Sequence, residues 1–336
     1  MKILVRGTNW IGDAVMTLPA IAKLRQLFPN AHLTLQTRDW AKGIIGQANL
    51  FDEIITPTSL LDQIRAIRQR QFDLAVVFPN SFSSAFVVRL GGVTRSFGYA
   101  AERRSILLSD PVPTPEWKDS RHEVHYYLEL IAAVEKSFFG NTMSFHDLEP
   151  RISLSDVQRL DALEMLRENG VDPTLRTIAI APGSTNSRAK RWLPERFAAL
   201  ADDLISRLNV NVVLLGSKDD KEISQRVSDL ATQKTIDMTG RTDIVEAAAI
   251  LGVVDLLVSN DMGLAHLAPA VGTKTLVIFG PTNSVTTRPM STNASIISAD
   301  VECAPCMLRD CPIDHRCMTR VSAEDVFGRV AKLLSE

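Results

Sequence analysis

Ser259-Asn-Asp-Met-Gly-Leu-Ala-His266, running on to Val277-Ile-Phe-Gly-Pro-Thr282, decides the fold. An apolar strand over Asp255 to Ser259 meets a polar turn. A small-residue helix from about Gly263 to Val271 follows, and then a second apolar strand that ends in a Gly-Pro break. This is one strand-helix-strand unit with its polar residues gathered at a single junction. In a parallel sheet such a junction lies at the carboxyl ends of the strands, where open α/β folds bind ligands. The helix starting there points unpaired N–H groups outward, which suits an anion. Alone, the segment reads equally as an ordinary βαβ turn with Asp261 as the N-cap.

The same grammar extends outward in both directions. Ile3-Leu-Val-Arg6 reads as a strand, Gly7 to Gly12 as a loop, and Asp13 to Leu27 as a helix stopped near Pro29. His32 to Gln36 and Leu74 to Phe78 are further strands, with a helix over Leu60 to Gln71 between them. After a polar helix over Ser155 to Asn169 the pattern restarts. Thr177 to Ala181 is a strand, Pro194 to Leu208 a helix and Val210 to Leu215 a strand. Alternation of this kind predicts parallel sheets with helical crossovers. The expected architecture is α/β, with two Rossmann-like domains whose parallel sheets face a central cleft. The first domain is expected over residues 1–165 and the second over 170–322. A last helix over 323–336 is expected to return to the first domain.

A chain of 336 residues is too long for one simple core and suits two domains. A formal charge of −2 argues against a nucleic-acid binder, which would show a strong basic excess. Met1-Lys-Ile-Leu-Val enters a strand at once, and no apolar run approaches bilayer length, so a cytoplasmic protein with at most peripheral membrane contact is expected.

Three constellations carry chemistry. In Gly7-Thr-Asn-Trp-Ile-Gly-Asp13, two glycines bound a tight turn that is neither a Gly-x-Gly-x-x-Gly fingerprint nor a P-loop. Asp13 there reads as a helix cap or as a general base acting on a hydroxyl. Pro182-Gly-Ser-Thr-Asn-Ser-Arg-Ala-Lys-Arg-Trp192 offers close backbone approach, the hydroxyls of Ser184 and Thr185, and the charge of Lys190, the parts of a diphosphate cradle or of a solvated basic loop. Gly216-Ser-Lys-Asp-Asp220 places Asp219 after a strand, either to accept ribose hydroxyls or as a surface turn. No two aspartates are separated by a single residue, so the Asp-x-Asp pair that holds a divalent ion in many nucleotide-sugar enzymes is missing. Phosphate charge would then be met by Lys190, backbone N–H groups and helix N-termini.

Met1-Lys-Ile-Leu-Val-Arg-Gly7, Gly12-Asp13, Leu18-Pro19, Pro182-Gly-Ser184, Ala189-Lys-Arg-Trp192 and Asn260-Asp-Met-Gly-Leu-Ala-His266 with Gly280-Pro-Thr282 together resemble the ADP-heptose:lipopolysaccharide heptosyltransferases, glycosyltransferase family 9. Pro79-Asn-Ser-Phe-Ser-Ser-Ala85 with Gly98-Tyr99 and Arg103-Arg104 resembles the heptosyltransferase II branch. The resemblance implies a GT-B fold and an inverting, metal-independent transfer of L-glycero-D-manno-heptose from ADP-heptose to a heptose of the lipopolysaccharide inner core. It implies Asp13 as the base, Lys190 on the diphosphate and Asp261 on the sugar. Ser184, Thr185, Asp219, Thr242, Gly263 and His266 complete the expected donor site. At Met262 the family usually has Ser or Thr, so a hydroxyl near the donor is absent here. For an anionic, lipid-linked acceptor reached at the inner membrane, Arg65, Arg68, Arg103, Arg104 and Arg121 are the expected contacts, with Arg70 beside them.

All four cysteines, Cys303, Cys306, Cys311 and Cys317, lie in one short stretch with His315 among them. Their spacing matches no common zinc ribbon. A structural zinc or iron, a disulfide and free thiols all remain open. His122-Glu-Val-His125 lacks the spacing of a zinc-protease helix and reads as helix surface. Competing functional classes are heptosyltransferase I or another family 9 transferase, a sugar-nucleotide epimerase, a nucleotide-binding regulator, and a metal or redox sensor built on the cysteines. An epimerase would need acid/base groups on both faces of the sugar, whereas Asp13 is the one clear candidate.

Overall fold

The computed structural model describes every residue except Met143 and Asn186. Two compact units divide the chain, Met1–Ile152 and Ser153–Glu336.

In the first unit the order is β1 (Lys2–Arg6), α1 (Ile11–Leu27), β2 (His32–Gln36), α2 (Asp39–Ile45), β3 (Glu53–Ile55), α3 (Leu60–Arg70), β4 (Leu74–Val77), α4 (Phe82–Leu90), β5 (Arg95–Tyr99), β6 (Asp110–Val112) and α5 (Glu123–Phe139). The strands form one sheet in the order β3-β2-β1-β4-β5-β6, every pair parallel. Burial on both faces explains the unbroken apolar runs Ile3-Leu-Val5 and Leu74-Ala-Val-Val77, all fully buried. The helices α1 and α5 pack along each other and are joined by a buried ion pair, Lys23 to Glu135 at 2.7 Å.

The second unit runs α6 (Asp156–Glu168), β7 (Thr177–Ala181), α7 (Pro194–Leu208), β8 (Asn211–Leu214), α8 (Lys221–Leu230), β9 (Ile236–Asp237), α9 (Ile244–Leu251), β10 (Leu256–Asn260), α10 (Gly263–Ala270), β11 (Lys274–Phe279), α11 (Ser284–Thr287), β12 (Ala294–Ser298), α12 (Arg316–Thr319) and α13 (Ala323–Ser335). Its sheet, β9-β8-β7-β10-β11-β12, is also wholly parallel. Both sheets follow the doubly wound order, with a topological switch between β1 and β4 in one and between β7 and β10 in the other. In α7 the residues Phe197, Ala198, Leu200, Ala201 and Leu204 are buried at helical spacing, Pro194 opens the helix and Asn209, at φ 53°, closes it.

Two helices near the expected boundaries pack within the second unit. The helix α6, placed by sequence at the end of the first domain, packs on α9 in the second unit; Arg159 donates to the Gly252 carbonyl at 2.5 Å. The terminal helix α13 belongs to the second unit. It lies on α7, and its Val326, Phe327 and Val330 join the core formed by Trp192, Phe197 and Leu204. An amphipathic helix docks on whichever apolar surface completes its core, which its own sequence does not specify. Among the described residues no helix is long and apolar enough to cross a membrane.

Candidate active site

The polar residues of the second unit gather at the carboxyl ends of three neighbouring strands, β7, β10 and β11. Lys190 follows β7, Asp261 follows β10 and Thr282 follows β11. The Asp261 carboxylate accepts from the Lys190 ammonium at 2.8 Å and from the Thr282 hydroxyl at 2.7 Å, on the same oxygen. Asp261 is 6% exposed in its side chain and Lys190 27%, so a nearly buried anion faces a cation that still reaches solvent. Asp261 is therefore not the cap of α10. That position is held by Met262, whose side chain makes no capping bond, and the first N–H groups of α10 keep their anion-binding capacity.

The β7 loop is held from below by Asn260, which is fully buried. Its amide donates to the Pro182 and Gly183 carbonyls at 2.8 and 3.0 Å and accepts from the Trp192 N–H at 2.9 Å. Arg191 donates to the Ser184 carbonyl at 3.2 Å. The Cys-rich stretch closes over the same loop: His315 bonds the Ala189 carbonyl at 2.6 Å, Ala189 N–H donates to Arg309 at 2.9 Å, and Arg188 pairs with Asp310 at 2.6 Å.

The expected donor residues separate on inspection. Ser184 is buried and Thr185 exposed, with Asn186 beside them outside the described residues. Gly263 opens α10, and His266, one turn on, is buried. Thr242 precedes Asp243, which caps α9 with its own carboxylate. Asp219 is exposed, whereas its neighbour Asp220 is 1% exposed and binds the Ser217 N–H and hydroxyl at 2.9 and 2.7 Å. A β-carbon on Gly183 would collide with the Asp220 carboxyl group, so the tight approach of these two loops requires glycine. Asn260, Asp220 and Thr282 are the residues that reading for reactive chemistry passes over. Their signal is positional, since each stands next to a quoted motif residue or inside the Gly280-Pro-Thr282 turn.

In the first unit Asp13 lies in the first turn of α1, half-buried. Glu123, in the first turn of α5, stands close to it. Burial pushes the Glu123 carboxyl up to about 7, Lys118 opposing and the charges of Asp13 and Asp119 adding to the rise. Burial also raises the Tyr127 phenol, again with Asp13 and Glu123 contributing. Asp13 thus belongs to a carboxylate pair at the head of the packed helices α1 and α5. His122, expected on a helix surface, is instead the buried N-cap of α5, its Nδ1 accepting from Val124 N–H at 3.1 Å.

The five expected acceptor arginines do not form one patch. Arg104 is fully buried. It donates to the Tyr99 carbonyl at 2.8 Å, to the Ser84 hydroxyl at 3.0 Å and to the Pro79 carbonyl, so it is a strut that ties the 79–84 loop to the end of β5. That corrects its assignment as an acceptor contact, because its donors are committed inside the fold. Arg68 donates to the Leu90 carbonyl at the end of α4, and the Arg70 carbonyl receives Lys2 from the start of β1, which puts this end of α3 at the amino ends of the strands, away from Asp13. Arg65 is exposed and faces Asp62 at 3.9 Å. Arg103 is exposed beyond β5, and Arg121 stacks on Trp117 at 4.9 Å just before α5. Of the exposed arginines, these last two stand near the Asp13 end of the sheet.

The tentative metal assignment to Cys303, Cys306, Cys311 and Cys317 finds no geometric support. All four are free thiols, and among the described residues no group of three or more His, Cys, Asp or Glu is placed to hold an ion. Cys306 is exposed while Cys317 sinks into the core of the second unit, where burial pushes its thiol up to about 11.

The model of glycosyltransferase family 9 (heptosyltransferase) matches residues 61–316. Lipooligosaccharide heptosyltransferase 2 of Haemophilus influenzae is 27% identical over 310 residues, covering 88% of each chain. Lipopolysaccharide heptosyltransferase 2 of Escherichia coli is 28% identical over 313 residues, again 88% of each. The solved structure of Escherichia coli ADP-heptose lps heptosyltransferase II superposes with a TM-score of 0.86 at 25% identity, covering 100% of this chain and 99% of the other. Two parallel doubly wound sheets of GT-B type, the Lys190–Asp261–Thr282 junction and a family match across most of the length lead to one conclusion: the chain belongs to glycosyltransferase family 9, the heptosyltransferases.

Proposed function

We propose that the protein transfers L-glycero-D-manno-heptose from ADP-heptose to a heptose of the lipopolysaccharide inner core, with inversion and without a metal. The Lys190–Asp261 pair carries this reading. An ammonium has three donors. One is used on Asp261, and the others serve the diphosphate, joined by the N-terminus of α10. Ser184 and Thr185 add to the cradle, and Asp261 orients the sugar. Asp13 takes the proton from the acceptor hydroxyl as its oxygen bonds to the anomeric carbon, while the anomeric C–O bond breaks and the electron pair leaves on ADP. A single displacement needs no protein nucleophile, and one base suffices. The acceptor is lipid-linked, so the reaction belongs at the cytoplasmic face of the inner membrane, with peripheral contact. Arg103 and Arg121 are the cations proposed to meet it.

The test is a transfer assay with ADP-heptose against core acceptors carrying zero, one or two heptoses. Product only from the one-heptose acceptor supports the assignment. Product from the heptose-free acceptor moves the protein to a heptosyltransferase I role, and no product from any of them removes the reading.

A further inference from the structure

Arg6 and Gln36 end the adjacent strands β1 and β2 and stand directly opposite each other in register, so their side chains share one face of the sheet. Gln36 is 1% exposed and Thr8, just beyond Arg6, is 5% exposed. Among the described residues, the Gln36 amide nitrogen and oxygen, the Thr8 hydroxyl and the Arg6 Nε have no hydrogen-bond partner. Such buried groups are ordinarily satisfied, and a cluster of four at one strand end is unusual. The remaining Arg6 contacts are long: Nη1 reaches the Gly7 and Gln36 carbonyls at 3.4 and 3.3 Å. A second guanidinium, Arg38, lies nearby and donates to the Asn9 side chain at 3.5 Å. Among the described residues neither arginine forms an ion pair with a carboxylate. Two like charges left beside each other in a half-dry site are unfavourable unless an anion lies between them. Desolvation, with the Arg38 charge added, pulls the Arg6 guanidinium down to about 10.

We infer that Arg6, Thr8, Gln36 and Arg38 form an oxyanion pocket in the first unit, which takes an anionic group of the acceptor. Guanidinium forks match phosphate and carboxylate oxygens in pairs. The Gln36 amide and Thr8 hydroxyl supply the additional donors that such a group needs once dehydrated. The loop Gly7–Trp10 joins the pocket to the first turn of α1, where Asp13 stands, so an acceptor anchored here has its charge held at the same strand end as the base. The pocket rests on Arg6 and Gln36 rather than on Arg68 and Arg70 of α3, which lie at the other end of the sheet.

The acceptor assignment rests on the heptosyltransferase reading, and the experiment separates the two. The whole protein is titrated calorimetrically with inorganic phosphate as wild type, as Lys190→Ala to silence the donor loop, and as Arg38→Ala and Arg6→Gln. Arg38 is exposed, so its variant folds. A phosphate site retained in Lys190→Ala and weakened at least about tenfold in Arg38→Ala and Arg6→Gln supports the pocket. Unchanged phosphate binding in both arginine variants overturns it, and this holds even if the wild type transfers no heptose. The acceptor KM is then measured with the phosphorylated acceptor, its dephosphorylated form and its carboxyl-reduced form. A wild-type KM that rises with one of these treatments, beside an Arg38→Ala KM that is already raised and insensitive to it, identifies the bound group. Phosphate binding lost in the variants with acceptor KM unchanged overturns the acceptor assignment.

Discussion

A β-carbon on Gly183 would occupy the space of the Asp220 carboxyl group, which is itself held by two bonds from Ser217. The strand-end loops after β7 and β8 are thus packed with no tolerance for a methyl group. Gly183→Ala should destabilise the protein by about 1–3 kcal/mol, the usual range for overpacking. Thermal unfolding checks this. Adding Asp220→Gly removes the Asp220 side-chain atoms, Cβ included, from that space, so the double variant should lose less than the sum of the singles.

Lys190 and Asp261 can be dissected by a mutant cycle. Lys190→Ala leaves a nearly buried carboxylate with Thr282 as its remaining partner and should cost about 2–3 kcal/mol, as removal of one member of a buried pair does. The double variant Lys190→Ala/Asp261→Asn removes the stranded charge and should recover most of that loss. Turnover should fall about 10²–10³-fold in both variants, since the proposed role depends on charge facing the diphosphate. Recovery of activity together with stability would reduce the pair to a structural role.

Asp13→Ala should lower turnover by about 10²–10⁴-fold while leaving ADP-heptose affinity nearly unchanged, because Asp13 belongs to the first unit and the residues proposed to hold the donor belong to the second. Single-turnover kinetics beside donor titration measures both. Turnover near the wild-type level would end the base assignment.

Glu123 predicts a pH dependence. Its folded pKa of about 7 lies above the ordinary 4.5, so the native state holds the proton more tightly than the unfolded chain. Its penalty is absent below the unfolded value and grows as pH rises toward 7. Glu123→Gln is neutral throughout. The variant should match the wild type near pH 4.5 and exceed it by about 2 kcal/mol at pH 8, read from urea denaturation at the two values.

Much of this was legible in the chain because periodicity reports burial. Pro194 to Leu208 was marked at both ends by proline and an asparagine cap, and the runs Ile3-Leu-Val5 and Leu256-Leu-Val258 could only be doubly buried strands. The short edge strands β6 and β9, one of them containing Pro111, carry no such pattern. Side-chain destinations were less readable. Nothing in Arg103-Arg104 says that one guanidinium faces water while the next is enclosed; that follows from carbonyls contributed by the 79–81 loop and by Tyr99. The approach of Glu123 to Asp13 likewise depends on helix packing between distant segments. The spacing of the cysteines left metal, disulfide and free thiols open; the fold sets Cys317 in the apolar core with Cys303, Cys311 and Cys306 near enough for their charges to act on its thiol.

The shared strand order of the two sheets has a wider meaning. One blueprint is written twice in this chain, and the first crossover loop of each copy has been edited differently: a short version leading into the Asp13 turn of α1, and a longer cationic version carrying Lys190. Specialisation therefore resides in loops rather than in the scaffold. Exchange of donor or acceptor preference among relatives should be sought by rewriting these two turns while the sheets beneath them stay untouched.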